Sequence, residues 1–273
     1  MPFMECGGVR LHYRDLGVRT AAAPLLLVHG WGGDGAEWDP LAAAFTPDRR
    51  VVTVDLRGHG RSSVPDTGYA PADFAADLAR LLRHLDCAPV VAVGHSMGGQ
   101  VVLALADAHP WAVESLVALD PAYGADDAEL ARIPQEQERL RAEGATWAVR
   151  FVTGAFAEGA TPAARARHER LMAAMNPRVL LAARDAMYLD PGAIGPQGAA
   201  EARLAALALP LLTVMTTAPR AAWARRHLTH PRSRVELVEG GHYVHEERPD
   251  RVADLLGSWL SPTGTGRAGR VRT

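Results

Sequence analysis

Residues 90–99 read Val90-Val91-Ala92-Val93-Gly94-His95-Ser96-Met97-Gly98-Gly99. Four apolar residues in a row suit a buried strand. The Gly-x-Ser-x-Gly pattern directly after them marks a sharp strand-to-helix turn that exposes a serine at the sheet edge. A serine hydroxyl is a weak nucleophile until a base takes its proton. On such a turn Ser96 also precedes amides at the positive end of a new helix, which face any developing oxyanion. The glycines let strand, turn and helix approach closely. The competing reading is an ordinary strand–turn–helix unit with an incidental serine, and three further segments weigh against it.

Upstream, Leu25-Leu26-Leu27-Val28 is a short buried-strand run followed by His29-Gly30-Trp31-Gly32-Gly33. A glycine-rich turn after a strand can aim backbone N–H groups into a cavity, so the amides of Trp31 and Met97 would form a two-donor oxyanion hole. The alternative is a loop in which Trp31 merely packs. Downstream, Arg234-Val235-Glu236-Leu237-Val238 reads as a strand. Glu239-Gly240-Gly241-His242 ends it, and a helix over 248–260 follows, with Pro249 in its first turn. His242 is the candidate base because the glycines before it permit the projecting turn; its neighbour His245 is the competitor and reads better as a packed residue. A third run, Ser115-Leu116-Val117-Ala118-Leu119, leads to Asp120-Pro121. An acid at that strand end can orient a histidine and stabilise its imidazolium.

These segments, with Asp55-Leu56-Arg57-Gly58-His59-Gly60-Arg61-Ser62 between them, resemble the α/β-hydrolase family in family order, from Leu25 through the last helix. The resemblance implies an α/β-hydrolase fold: a mostly parallel central sheet flanked by helices, with a helical cap inserted between two late strands. It also implies Ser96 as nucleophile, His242 as base, and Trp31 and Met97 as oxyanion donors. One departure stands out. Many members carry the acid after the next-to-last strand, here Pro210-Leu211-Leu212-Thr213-Val214-Met215. Thr216-Thr217-Ala218-Pro219-Arg220-Ala221-Ala222-Trp223 follows, with no carboxylate until Glu236. Some relatives place the acid one strand earlier, which Asp120 matches, in the order Ser96, Asp120, His242. Otherwise Asp120 caps the next segment, and Asp190 or Glu201 substitutes, or the site is a dyad.

The surrounding chain organises around this set. Residues 3–15 suggest a hairpin turning at Gly7-Gly8, and strands recur at 25–28, 51–54, 90–93 and 116–119 with helical segments between several of them. That alternation implies parallel strands with right-handed crossovers. Over 71–85, Phe74, Leu78, Leu81, Leu82 and Leu85 share one helical face, leaving Asp73, Asp77 and Arg80 on the solvated side. From 122 to 207 the strand rhythm stops and helical stretches follow, punctuated by Pro134, Gly144, Gly154, Gly159, Pro162, Pro177 and the 191–198 loop. The chain therefore divides into core (1–121), cap (122–207), core (208–261) and a Gly/Arg/Thr-rich tail (262–273). In the resembling family such a cap covers the site. Gly30, Trp147, Phe151, Met187 and Tyr188 are the candidate pocket residues, although each aromatic and methionine side chain taken singly reads more readily as cap core and only some of the set should line the pocket. Asp34 and Trp38 would border the pocket. His29 and His95 suit structural hydrogen bonds, and Asp55, Arg57 and His59 a loop-stabilising network.

Composition sets the outer bounds. The chain has 273 residues, a formal net charge of -2, 48% hydrophobic and 22% charged residues. These values fit a globular protein and argue against a nucleic-acid surface. The two cysteines make no disulfide framework and suit a reducing, cytoplasmic setting. No run is apolar enough to span a bilayer, and the N-terminus lacks a basic start followed by an apolar stretch. Neither a phosphate loop nor metal-ligand spacing is evident, so no cofactor or metal is expected. The expected chemistry is acyl transfer on a small-molecule substrate, an ester or lactone of a medium-sized, mostly apolar compound. Serine at position 96, where epoxide- and halide-cleaving relatives carry aspartate, argues against those reactions. Cleavage of a carbon–carbon bond beside a ketone and non-catalytic ligand binding remain the other readings, and a homo-oligomer stays open.

Overall fold

The apolar runs assemble into one eight-stranded sheet, seen in a computed structural model that describes residues 2–261. The expectation for the 262–273 tail lies outside the described residues. The strands are β1 (Phe3–Cys6), β2 (Val9–Gly17), β3 (Leu25–Val28), β4 (Arg50–Val54), β5 (Val90–His95), β6 (Val113–Leu119), β7 (Leu211–Met215) and β8 (Arg234–Leu237). Their order across the sheet is β1-β2-β4-β3-β5-β6-β7-β8. β1 and β2 form the antiparallel hairpin, turning on Gly7 and Gly8 at φ of 53° and 81°, where a Cβ is disfavoured. β2 lies antiparallel to β4, and from β4 to β8 every pairing is parallel.

The helices are α1 (Asp39–Phe45), α2 (Pro71–His84), α3 (Met97–Ala108), α4 (Asp127–Glu143), α5 (Ala145–Thr153), α6 (Pro162–Ala174), α7 (Pro177–Tyr188), α8 (Gln197–Ala206), α9 (Ala218–His227), α10 (Val244–Glu247) and α11 (Pro249–Leu260). β5 shows how the sheet faces are filled. Val90 and Ala92 join Phe74, Leu78 and Val101 in one core, whereas Val91 and Val93 join Leu41, Val252 and Trp259 in the other. Alternate residues of a strand point to opposite faces, so a continuous apolar run fits a strand buried on both sides.

Five helices, α4 to α8, lie in the chain between β6 and β7. Pro162 and Pro177 open α6 and α7, where a missing N–H costs nothing, and Gly144 separates α4 from α5 at φ of 57°. Pro134 differs from the expectation: α4 runs through it, its start secured by reciprocal bonds between Asp126 and Glu129. A second correction concerns α2. Asp77 is not solvated but 1% exposed, because Arg57 reaches it with two N–H groups at 2.7 Å each. Helical periodicity cannot register a cation supplied by a distant loop. Among the described residues no helix is long and apolar enough to cross a membrane.

Candidate active site

Ser96 sits between β5 and α3 at φ 51° and ψ −116°, a conformation that L-residues adopt only under local constraint. The constraint is visible atom by atom. A Cβ on Gly94 would lie 2.2 Å from the Gly98 carbonyl oxygen. One on Gly98 would lie 2.2 Å from the Val28 oxygen, and one on Gly99 2.6 Å from the Pro121 Cβ. The motif glycines are therefore required by backbone contact. The Ser96 amide donates to the Leu119 oxygen at 3.1 Å, and the Ala122 amide donates to the Ser96 oxygen at 3.0 Å. These bonds tie the turn to the end of β6.

Met97 is the first residue of α3, so its N–H belongs to the helical turn that lacks intrahelical acceptors. Trp31 lines the same cavity as Ser96, and its indole Nε1 donates to the Leu180 oxygen of α7 at 3.0 Å. Gly30 lies beneath the serine rather than in the wall: a Cβ there would stand 3.1 Å from the Ser96 Cβ and 2.9 Å from His95 Nδ1.

Asp120 follows β6 at φ 39°, its amide donating to the Val214 oxygen at 2.8 Å. Its Oδ2 lies 2.6 Å from His242 Nδ1. Thr216, at the end of β7 where many relatives carry the acid, donates to Asp120 Oδ1 from its hydroxyl at 2.9 Å and its amide at 3.3 Å. Burial alone would push the Asp120 carboxyl up. The His242 and Thr216 hydrogen bonds and the charge of Arg220 outweigh that and hold it below its usual value. His242 is itself fixed through its backbone, its amide donating to the Ala155 oxygen at 2.8 Å and its oxygen accepting from His95 Nε2 at 3.0 Å. Glu247 clamps this loop, accepting from the Gly241 amide at 2.6 Å and the Ala157 amide at 3.0 Å.

Ser96, Asp120 and His242 line one cavity of about 280 Å³. The helical insertion supplies much of its wall: Phe151, Val152, Ala155, Arg184, Met187 and Tyr188. Trp147 does not line it but stacks behind Phe151 at 5.0 Å. Asp34 and Trp38 also stand away from the wall. Asp34 pairs with Arg167, and Trp38 is fully buried, stacked on His245 at 4.6 Å. Asp190 and Glu201 are outside the cavity too, Glu201 accepting from the Trp223 indole at 2.9 Å.

Two arginines escaped the sequence reading. Arg184 is 5% exposed, donates to Gln137 Oε1 at 3.2 Å and to Glu136, and lies over the Trp147 and Phe151 rings. Its register, four residues after buried Leu180 and three before buried Met187, placed a charge on an apolar helix face and was the available signal. Arg220, from α9, donates to the Tyr123 oxygen at 2.6 Å and to Glu129 at 3.2 Å.

Behind His242, Glu37 Oε1 lies 3.4 Å from His95 Nδ1 and 3.5 Å from His245 Nε2. Burial pushes the Glu37 carboxyl up, but the neighbouring His245 and His95 hold it well below the usual carboxylate range. Burial, with His245 nearby, pushes His95 down to about 3. These three residues, and separately Glu37, His168 and Glu246, could hold a metal ion. That possibility was invisible in sequence spacing because positions 37, 95 and 245 meet only through the fold.

A model of the alpha/beta hydrolase family matches residues 25–255. Over 118 residues the chain is 36% identical to a 2-(acetamidomethylene)succinate hydrolase of Mesorhizobium japonicum, covering 43% of this chain and 41% of that one. Over 112 residues it is 38% identical to a non-heme chloroperoxidase of Streptomyces lividans, covering 40% of each. The matched stretch thus spans about two fifths of each relative's length. Among solved structures, a thermophilic esterase of Thermogutta terrifontis, with malate bound, superposes with a TM-score of 0.80 at 25% identity, covering 94% of this chain and 96% of that one.

Proposed function

The chain belongs to the alpha/beta hydrolase family, and we propose that within it the protein is a serine hydrolase that cleaves an ester or lactone through an acyl-enzyme on Ser96. The observation that carries this reading is the 2.6 Å contact between Asp120 Oδ2 and His242 Nδ1, in a cavity that also exposes Ser96. With Asp120 ionised, Nδ1 of His242 keeps its proton and Nε2 is left as the base. His242 takes the Ser96 proton as Oγ attacks the substrate carbonyl. The amides of Trp31 and Met97 receive the oxyanion, a contribution worth about 10²–10³ in turnover per donor. His242 then protonates the leaving group and activates a water that releases the acyl group, returning its proton to Ser96. Nothing in this sequence needs a group beyond the chain's own residues and water.

In this reading the insertion acts as the cap, and Phe151, Met187 and Tyr188 shape the acyl or alcohol side of a small substrate. The likeness to the Thermogutta terrifontis esterase supports ester chemistry. The chloroperoxidase relative is a reminder that the family carries several reactions on one frame. Intact-protein mass after exposure to a fluorophosphonate tests the proposal. A single adduct on the wild type and none on Ser96→Ala is expected; a folded wild type that takes no adduct overturns it.

A further inference from the structure

The cavity wall presents a buried cation beside apolar side chains. Arg184 shares that wall with Phe151, Val152, Ala155 and Met187, and is 5% exposed. A guanidinium out of water is costly unless its charge and its N–H groups are matched. Two of its five N–H groups go to Gln137 and Glu136. The charged side chains of the wall are Arg184, Arg220 and Asp120, and the carboxylate is already engaged by His242. Each arginine already has a carboxylate outside the lining, Arg184 with Glu136 and Arg220 with Glu129, so Arg184 offers the cavity uncommitted N–H groups rather than surplus charge. Arg220 is the more committed of the two, donating to Glu129, to the Tyr123 oxygen and, at 3.5 Å, to the Pro121 oxygen. The Tyr188 hydroxyl stands in the field of both arginines: burial pushes its pKa up, and Arg184 and then Arg220 pull it back. It stays protonated, and Tyr188 lines the same wall.

We propose that the substrate carries a carboxylate that docks on Arg184, with Arg220 and Tyr188 completing the subsite, while its apolar body lies against Phe151 and Met187. This rests on the serine hydrolase reading for the reaction but not for the binding. It also revises the expected substrate from mostly apolar to an apolar chain with one acidic end. A carboxylate matches the planar fork of a guanidinium and the N–H groups that Gln137 and Glu136 leave uncommitted.

The test compares mono-4-nitrophenyl glutarate with 4-nitrophenyl valerate, acyl chains of equal length that differ in the terminal carboxylate. The wild type is expected to favour the glutarate by about tenfold or more in kcat/KM. Arg184→Met should lower the glutarate-to-valerate ratio by roughly 10²-fold, and Arg184→Lys, which keeps the charge without the fork, should fall between them. Calorimetry on Ser96→Ala with glutaramate and with pentanamide reads the subsite without chemistry. Glutaramate should bind at least about tenfold tighter, and Arg184→Met should remove the difference. If Arg184 only braces α7 against α4, the Arg184 variants will lose thermal stability and lower both esters alike, and glutaramate will bind no better than pentanamide; that result overturns the proposal. Selective glutaramate binding with neither ester cleaved would instead uphold the subsite and refute the serine hydrolase reading.

Discussion

The floor and the roof of the cavity are built by opposite means. The floor comes from strand ends, where backbone meets backbone. Gly98 leaves 2.2 Å for a Cβ beside the Val28 oxygen, and the amides of Ser96 and Asp120 bond to neighbouring strands. The roof comes from the inserted helices, where side chains meet side chains and Phe151 keeps 42% of its surface exposed. Polar ties join the two, among them His242 to Ala155, Glu247 to Ala157, Trp31 to Leu180 and the ion pairs of Arg167 with Asp34 and His168 with Glu246. A floor held by backbone packing cannot shift without unfolding, whereas a roof held by side chains can be recut. Chemistry should therefore be brittle in this molecule and specificity pliable.

The sharpest break is at the serine. Ser96→Ala should cut ester turnover by about 10⁵–10⁶ while thermal unfolding stays near wild type, read by steady-state kinetics beside calorimetry. Asp120→Asn should follow with a loss of about 10⁴, because an amide cannot hold His242 with Nε2 free as base. Near-wild-type turnover there would remove Asp120 from the proposed triad. Gly98→Ala tests the floor as structure. Its Cβ has nowhere to go, and a cost of about 3 kcal/mol is expected from the denaturation midpoint.

His59 extends the comparison to pH. It is buried beside His29, and burial first, then His29, lower it from 6.5 to about 3. The unfolded chain takes up this proton below its ordinary pKa while the native state refuses it. The stability held by neutral His59 is thus fully present above about pH 6.5 and lost as pH falls toward 3, by up to about 1.4 kcal/mol per pH unit. Denaturation midpoints at pH 7 and pH 5 should show a shallower slope in His59→Asn. The smallest effect belongs to the roof. Phe151→Ala should change kcat/KM among esters of different size by about three- to tenfold and cost about 1 kcal/mol or less, because the ring is half-exposed and its partners Trp31 and Trp147 remain.

Much of the floor was legible in the order of residues. Strand periodicity, the Gly7-Gly8 hairpin, the serine turn and the glycine-led His242 loop are local patterns, and each lies where its own segment placed it. For Asp120 the strand-end position and the resemblance to relatives that carry the acid one strand earlier point to the same residue; the structure adds that the Thr216 hydroxyl supports the carboxyl of the adjacent strand. Missed features share a different character. Asp77 gains Arg57 from a loop, Glu37 gains His95 and His245 from two later segments, and Arg184 joins the cavity lining with its charge paired to Glu136 of α4.

The sequence alone determined the elements, the parallel sheet and which side chains stand at strand ends, because periodicity and turn chemistry act over a few residues. The tertiary structure alone decided which charges meet, which aromatic side chains face the cavity and which stand behind it. Those outcomes depend on packing between segments as far apart as Asp120 and His242, 122 residues along the chain, and a local pattern carries no record of what will be packed against it.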